Sequence, residues 1–582
     1  MTLELLANEI FFDIFEYLDI VRRFHAFDGL NGRLNGLLLA DHRRTCIDFR
    51  GLSKNDFHRF CEEYLSLFIN RIVALHLPDG DETPNLAKVF LSYPFPSNYF
   101  DHLQSLSLYE MNSIDMVIQS IKQYPHLRHF HLSKFHLKLA ERAQISVLFK
   151  SIWSLPNLVS CSFKHGSIWT NLHIEFTVIS TSIQLLIVED AFFIYDLCGL
   201  MKYTPNLSRL SIEIYRPRIS SVVQTTFPSI VSLSIKLINS PQFFNSLYAM
   251  PNLSHLKIDY YGSIIVGHDW ERIINTWNPK LTRFQLKMSI KESHTDVEET
   301  RTALLETFRT VFWLEEHQWF VRCVCFFTTQ YHTIVYTLPY SFDQISFRKE
   351  HWSRSTCSND IRLPVFDRVR KMDVTKQHLH SCEDLHRLPE QYPNLRYLSC
   401  HLATLKNNFC ECPPLTNCLT SISLVLFDNT WFAPLQTLLD HSPYLYSLTI
   451  FFMLRVYTEM FQLTSASIRR LGLYFESLPY IENNFTENEC QIIANSSLGQ
   501  QCEVLSIVLR NRFDLVDLLK AMTRLRSITV QLKDDTRQDC SSSSTCEDEL
   551  LTWLINQYPS SYLIIRDKKK SSVIHIWIGS AI

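Results

Sequence analysis

Glycine is scarce in this chain: 12 residues of 582 leave little room for flexible linkers or for Gly-rich loops around phosphates. The sequence contains no G-x-x-x-x-G-K-[ST], G-x-S-x-G, H-E-x-x-H or G-x-G-x-x-G. The common phosphate-loop, serine-hydrolase, metalloprotease and dinucleotide-binding designs therefore lack their framework, and the chain is not expected to be an enzyme or to carry a cofactor or metal. Neither sign of charge is in excess, with 56 basic and 59 acidic side chains. Such a balance gives no field to hold a polyanion, so nucleic acid is not an expected partner. Long apolar runs are missing too: "SISLVLF" (421–427) stops at Asp428, well short of a bilayer span, and no membrane is expected. The first residues lack a basic n-region and a small-residue cleavage site, which points to an intracellular protein, cytoplasmic and/or nuclear. The 16 cysteines are scattered, as suits reduced thiols used as small buried hydrophobes.

What the chain has instead is a recurring phrase. "YPHLRHFHL" at 124, "LPNLVSCSF" at 155, "TPNLSRLSI" at 204, "FPSIVSLSI" at 227, "MPNLSHLKI" at 250 and "NPKLTRFQL" at 278 reduce to P-x-L-x-x-L-x-L. It resumes at 392, 442 and 522, and copies without the proline, such as "RIVALHL" (71) and "SIRRLGL" (467), fill the spaces. Most neighbours start about 21 to 31 residues apart, the period expected of leucine-rich repeats. The L-x-L alternation makes a short strand with two side chains inward and one outward. Helix-like segments lie between copies, among them 114–123, 242–249, 270–277, 434–441 and 515–522, and the proline after each of the first four stops the helix. The expected fold class is α/β, a curved solenoid of parallel strands in which each repeat buries its apolar side against its neighbours.

The phrase is interrupted once. Residues 296–318 read as a longer amphipathic helix, and 319–342 as two strands joined by a polar turn. The expected division is a helical segment 1–48, a first array 49–288, an interrupting helix and hairpin 289–366, a second array 367–535, and a C-terminal loop and capping hairpin 536–582.

The opening segment, "LLANEIFFDIFEYLD" (5–19), has Asn8 as a candidate N-cap and Glu9 in the first turn. Ile10, Phe11, Ile14, Phe15 and Leu18 then recur at helical spacing, which makes one broad apolar face that needs a partner. Residues 6–38 resemble the F-box, with Leu6, Glu9, Ile10, Ile14, Phe15, Tyr17, Leu18 and Asp19 where that pattern wants them and Ala7 at the family's proline. The resemblance implies that Leu6, Ala7, Ile10, Phe11, Ile14 and Leu18 dock a Skp-type adaptor, and through it a cullin, while the repeats capture a protein substrate for ubiquitination. The other reading is a leucine-rich-repeat scaffold that binds a partner without recruiting a ligase, its first helix simply closing the end of the array.

Outward strand positions line the face on which a solenoid binds. Arg209, Lys236, His255, Lys257, Arg283 and Lys287 fall there, interrupted by Glu213 and Asp259. They read either as a band for an acidic or phosphorylated substrate segment or as a solvated face. Cys410, Cys412 and Cys418, with Cys400 and His401, lack the paired C-x-x-C of a zinc site. Cys323 and Cys325 share one face of the expected hairpin, where packing accounts for them, and His129 and His131 alternate on a strand beside His126.

Overall fold

The computed structural model describes residues 5–40, 43–111, 113–135, 144–164, 177–192, 197–215, 226–239, 241–291, 298–327, 331–347, 350–357, 366–374, 391–401, 418–426, 432–453, 461–475, 484–532, 548–559, 561–567 and 572–579. The chain divides into two compact units. Unit 1 holds 1–255 with 561–563 and 577–582, and unit 2 holds 256–560 with 564–576.

The phrase at 124 shows how sequence becomes structure. In the helix Ile114–Gln123, Ile114, Val117, Ile118 and Ile121 make the buried stripe, with Asp115 in the first turn and Lys122 in the last, each matched to the helix dipole. Tyr124, before Pro125, leaves helical geometry at ψ 74°, as a residue preceding proline must. Leu127, Phe130 and Leu132 then point into the core, all nearly inaccessible to water. Each such side chain contributes about 1.5–3 kcal/mol of apolar burial.

In unit 1 the strands are β1 (Thr45–Asp48), β2 (Ile72–Pro78), β3 (Ser105–Tyr109), β4 (His129–Ser133), β5 (Ser160–Lys164), β6 (Leu185–Phe192), β7 (Arg209–Tyr215) and β8 (Ser232–Ile238). Each pairs in parallel with the next in chain order. In unit 2 a second parallel ladder runs from β13 (Gln344–Phe347) through β15 (Lys371–Val374), β16 (Tyr397–His401), β17 (Ser421–Leu426), β18 (Ser447–Phe452), β19 (Arg470–Phe475) and β20 (Val504–Leu509) to β21 (Ser527–Leu532). The pair β22 (Leu563–Arg566) and β23 (Val573–Trp577) follows β21 at the ladder's end. Parallel ladders with crossover helices are the arrangement that the repeat requires, consistent with a leucine-rich-repeat-like fold.

One contribution to the stacking comes from a position that the phrase leaves open. In the P-N-L turns, Asn206 donates its amide to Thr181 O at 2.7 Å, Asn252 to Pro228 O at 2.9 Å and Asn394 to Asp367 O at 2.8 Å. Each bond ties a turn to the turn before it. Removing one by Asn206→Ala is expected to lower unfolding stability by about 1 kcal/mol, read as a shift of the urea midpoint at unchanged slope.

The interruption belongs to unit 2. The run 296–318 is not one helix: Glu298–Glu306 ends in a turn, and a short π-helix follows at Phe312–Glu316. The break lets Thr307 Oγ1 accept from Gly267 N at 2.7 Å, at a contact so close that a Cβ on Gly267 would lie 2.2 Å from Thr307 O. Strands β11 (Val321–Phe327) and β12 (Tyr331–Thr337) form an antiparallel hairpin. β12 also pairs antiparallel with β10 (Arg283–Lys291), and β11 with β14 (Glu350–Ser355), a strand whose polar sequence, "EHWSRS", gave no signal. β13, inside 289–366, opens the second ladder.

Three helices begin the chain in unit 1: α1 (Asn8–Glu16), α2 (Ile20–Phe27) and α3 (Gly32–Ala40). Ala7, not Asn8, is the N-cap of α1 and makes no side-chain cap. Asn8 is drawn away by Arg33, whose Nε and Nη2 donate to Asn8 Oδ1 at 2.9 and 2.7 Å. Asp19 caps α2 by accepting from Arg22 N at 3.1 Å. Phe24 of α2 packs on Phe60, Tyr64 and Phe68, so α2 shares the core of the first repeats.

Candidate functional site

The helix α1 presents two different stripes. Phe11 and Phe15 are fully buried, their rings 6.2 and 5.4 Å from that of Phe27. Phe11 is therefore a core residue and leaves the docking face on which the sequence placed it, because α2 and α3 claim that side of the helix. The stripe beside it is open. Ile10 is 44% exposed and Tyr17 89%, Ala7 is exposed, and Leu6, Ile14 and Leu18 are half-buried. Ile10, Ile14 and Tyr17 stand at i, i+4 and i+7, so they share one surface.

The basic positions do not make a free band. In unit 1 Arg209 and His255 are exposed, and Lys236 is paired with the buried Glu213 at 2.5 Å. In unit 2 Arg283 is exposed, but Lys287 is paired with Asp259 at 2.9 Å and Lys257 donates to Ser341 O at 2.9 Å. Both lysines also lie over the ring of Phe342, at 4.7 Å for Lys257 and 5.4 Å for Lys287. Burial pushes the Lys257 ammonium below its usual pKa. The Gln285 carboxamide and the Ser341 hydroxyl meet at 2.8 Å. Residues 338–342, which run on from β12, thus occupy the outward face over β9 (His255–Tyr261) and β10. Sequence reading missed this because it treats a strand face as open until another segment is known to cross it.

Of the cysteines singled out, Cys400 is buried and its thiol is pushed up to about 12, Cys418 is half-buried, and Cys410 and Cys412 lie outside the described residues. Among the described residues no three His, Cys, Asp or Glu side chains gather closely enough to hold a metal ion. Cys323 and Cys325 are buried in β11.

A polar cluster stands where the phrase is weakest, on the outward side of β1 to β3. Asp48 faces His76 across the β1–β2 register, with Oδ2 3.7 Å from Nδ1. On the other side of the imidazole, Cys46 Sγ lies 3.8 Å from Nε2. Arg50 grips the same carboxylate with its backbone N–H at 3.0 Å, Nε at 2.9 Å and Nη2 at 2.5 Å, and its guanidinium lies 5.1 Å from the Tyr109 ring centre. Burial alone would raise the Asp48 pKa, yet His76 and Arg50 hold it well below the usual carboxylate range. Asp48, and then Cys46, keep the proton on His76 and raise it to about 9. The signal in the sequence is "TCIDFR" (45–50), with Cys, Asp and Arg at alternate places, in a segment that lacks the repeating phrase.

These shifts carry a pH dependence. His76 has a folded pKa above its ordinary 6.5, so its stabilising contribution is complete below pH 6.5 and is lost as pH rises through about 9. Asp48 is depressed, so its contribution is present above the ordinary carboxylate value and is lost on acidification. Unfolding monitored from pH 6 to 9.5 should show the native chain losing stability relative to His76→Gln over the alkaline half. Parallel curves would remove this coupling.

No family model matches the chain, and no curated protein matches it. Among solved structures, a leucine-rich-repeat protein of Leptospira interrogans is similar over 84% of this chain and 96% of its own, at 12% identity and a TM-score of 0.22.

Proposed function

We propose that the chain is the substrate-recognition subunit of a Skp/cullin/F-box ubiquitin ligase. The observation that carries the reading is the open apolar stripe of α1 around Ile10, Ile14 and Tyr17, on a helix whose other side is sealed by Phe11 and Phe15. A helix needed only to close an array buries its apolar side and turns a polar one outward; this one keeps apolar side chains on both. The Skp-type adaptor would cover the stripe through Leu6, Ala7, Ile10, Ile14 and Leu18, and bring a cullin with it. The repeats would hold a protein substrate on their outward strand faces, where Arg209, His255 and Arg283 are exposed.

The mechanism on this reading is proximity. The chain makes no bond itself; it holds a substrate lysine at high effective concentration beside a ubiquitin-loaded conjugating enzyme. Co-expression of the full chain with a Skp-type adaptor tests the proposal. Co-elution in a stoichiometric complex supports it. A folded chain that elutes alone replaces it with the scaffold reading, in which the repeats bind a partner and no ligase is recruited.

A further inference from the structure

A second chemistry stands apart from adaptor docking, in the Cys46 cluster of unit 1. We propose that Cys46 is a nucleophilic thiol that adds to soft carbon electrophiles of the α,β-unsaturated carbonyl class, with His76 as its proton partner and Asp48, clamped by Arg50, holding the imidazole.

Four observations converge on this residue. The thiol is half-buried, so a small reagent reaches it, whereas Cys61, Cys161, Cys490 and Cys502 are buried and burial pushes their thiols up. Its sulfur lies 3.8 Å from an imidazole nitrogen. On the far side of the imidazole the Asp48 carboxylate lies 3.7 Å from Nδ1, at ion-pair distance, and is itself fixed by hydrogen bonds from Arg50 at 2.9 and 2.5 Å. Finally, the register places Ala74 opposite Cys46 and Ser105 beyond it, so small side chains border the sulfur along the ladder. A thiol with an imidazolium beside it, and a carboxylate behind that imidazolium to hold its charge, are surroundings that make a reactive cysteine.

The charged and titratable groups around the imidazole are Cys46 and Asp48 from β1, Arg50 in the turn after it and Tyr109 from β3, with Asp19 at the start of α2 within electrostatic range of Asp48. The sulfur attacks as a thiolate, and the imidazolium 3.8 Å away faces the charge it then carries. In the addition, the sulfur lone pair forms a bond to the β-carbon and the π pair moves onto the α-carbon. That carbon takes the Nε2 proton of His76, the equivalent of the proton the thiol gave up. Atoms and charge balance with no leaving group and no co-reactant.

The test uses the full chain and N-ethylmaleimide, a small electrophile of this class, with labelling of each cysteine followed by peptide mass spectrometry from pH 6 to 9. At pH 7 Cys46 should react about tenfold faster than a free thiol such as N-acetylcysteine. His76→Ala should bring the rate down to that of an ordinary thiol. A Cys46 rate in the unsubstituted chain no faster than that of N-acetylcysteine at the same pH overturns the proposal whatever the variant does. So does an unchanged rate in His76→Ala with Cys61 and Cys161 still protected, the sign that the chain remains folded.

Discussion

Replacing Trp577 with alanine should destabilise unit 1 by about 3–5 kcal/mol, the range for emptying a buried aromatic site. The indole is completely buried, its ring centre 5.6 Å from that of Phe57, and its N–H donates to Leu52 O at 3.3 Å. Two neighbouring contacts fix it there. Lys54 Nζ donates to Ser561 O at 2.5 Å, and Gly579 passes so close that a Cβ would lie 2.4 Å from the same oxygen. Truncation therefore leaves a cavity that glycine-tight packing resists closing, and it orphans a backbone carbonyl. At about 2–4 °C per kcal/mol for a unit of this size, the thermal midpoint should fall by roughly 10 °C. Trp577→Phe, which keeps most of the volume, should recover more than half of the loss. An unchanged midpoint in Trp577→Ala would mean that the last residues do not complete the core of unit 1.

The second large effect is expected at Ile10. On the adaptor-docking proposal a carboxylate there should weaken binding by a hundredfold or more, about 3 kcal/mol, because the charge would be buried unpaired in the complex. It should leave the melting of the free chain almost unchanged, since Ile10 is 44% exposed before binding. Phe15→Asp is the contrasting case. Phe15 is fully buried among Phe11, Phe27 and the guanidinium of Arg23, so a charge there should unfold the three helices outright. The pair would separate a docking surface from a structural one on the same helix, five residues apart.

The sequence made the strands legible because each inward leucine of the phrase lies at a fixed distance from a proline. In "TPNLSRLSI" Leu207, Leu210 and Ile212 are all buried, and the strand begins at Arg209 between them. Periodicity reports burial within one element, and its failures mark contacts made between elements. Nothing in "DVEETRTALLETFRTVFWLEEHQ" announces the break after Glu306, which exists because Thr307 meets Gly267 from another helix. Phe11 and Ile10 are equally apolar, and only the packing of α2 and α3 decides which is buried. The lysines at 257 and 287 sit on an outward strand face as their spacing demands, yet Ser341 and Phe342 cross that face and engage both. The asparagine of P-N-L reads as a free position in one repeat and as a tie in two.

The most direct test is a calorimetric titration of the intact chain with a purified Skp-type adaptor, repeated with Ile10→Asp. Saturable one-to-one binding with a Kd below about 1 µM, lost in a variant that melts like the parent, is what a ligase receptor should give. No binding by the intact, folded chain at tens of micromolar adaptor would contradict that role and leave α1 as the end of a repeat scaffold.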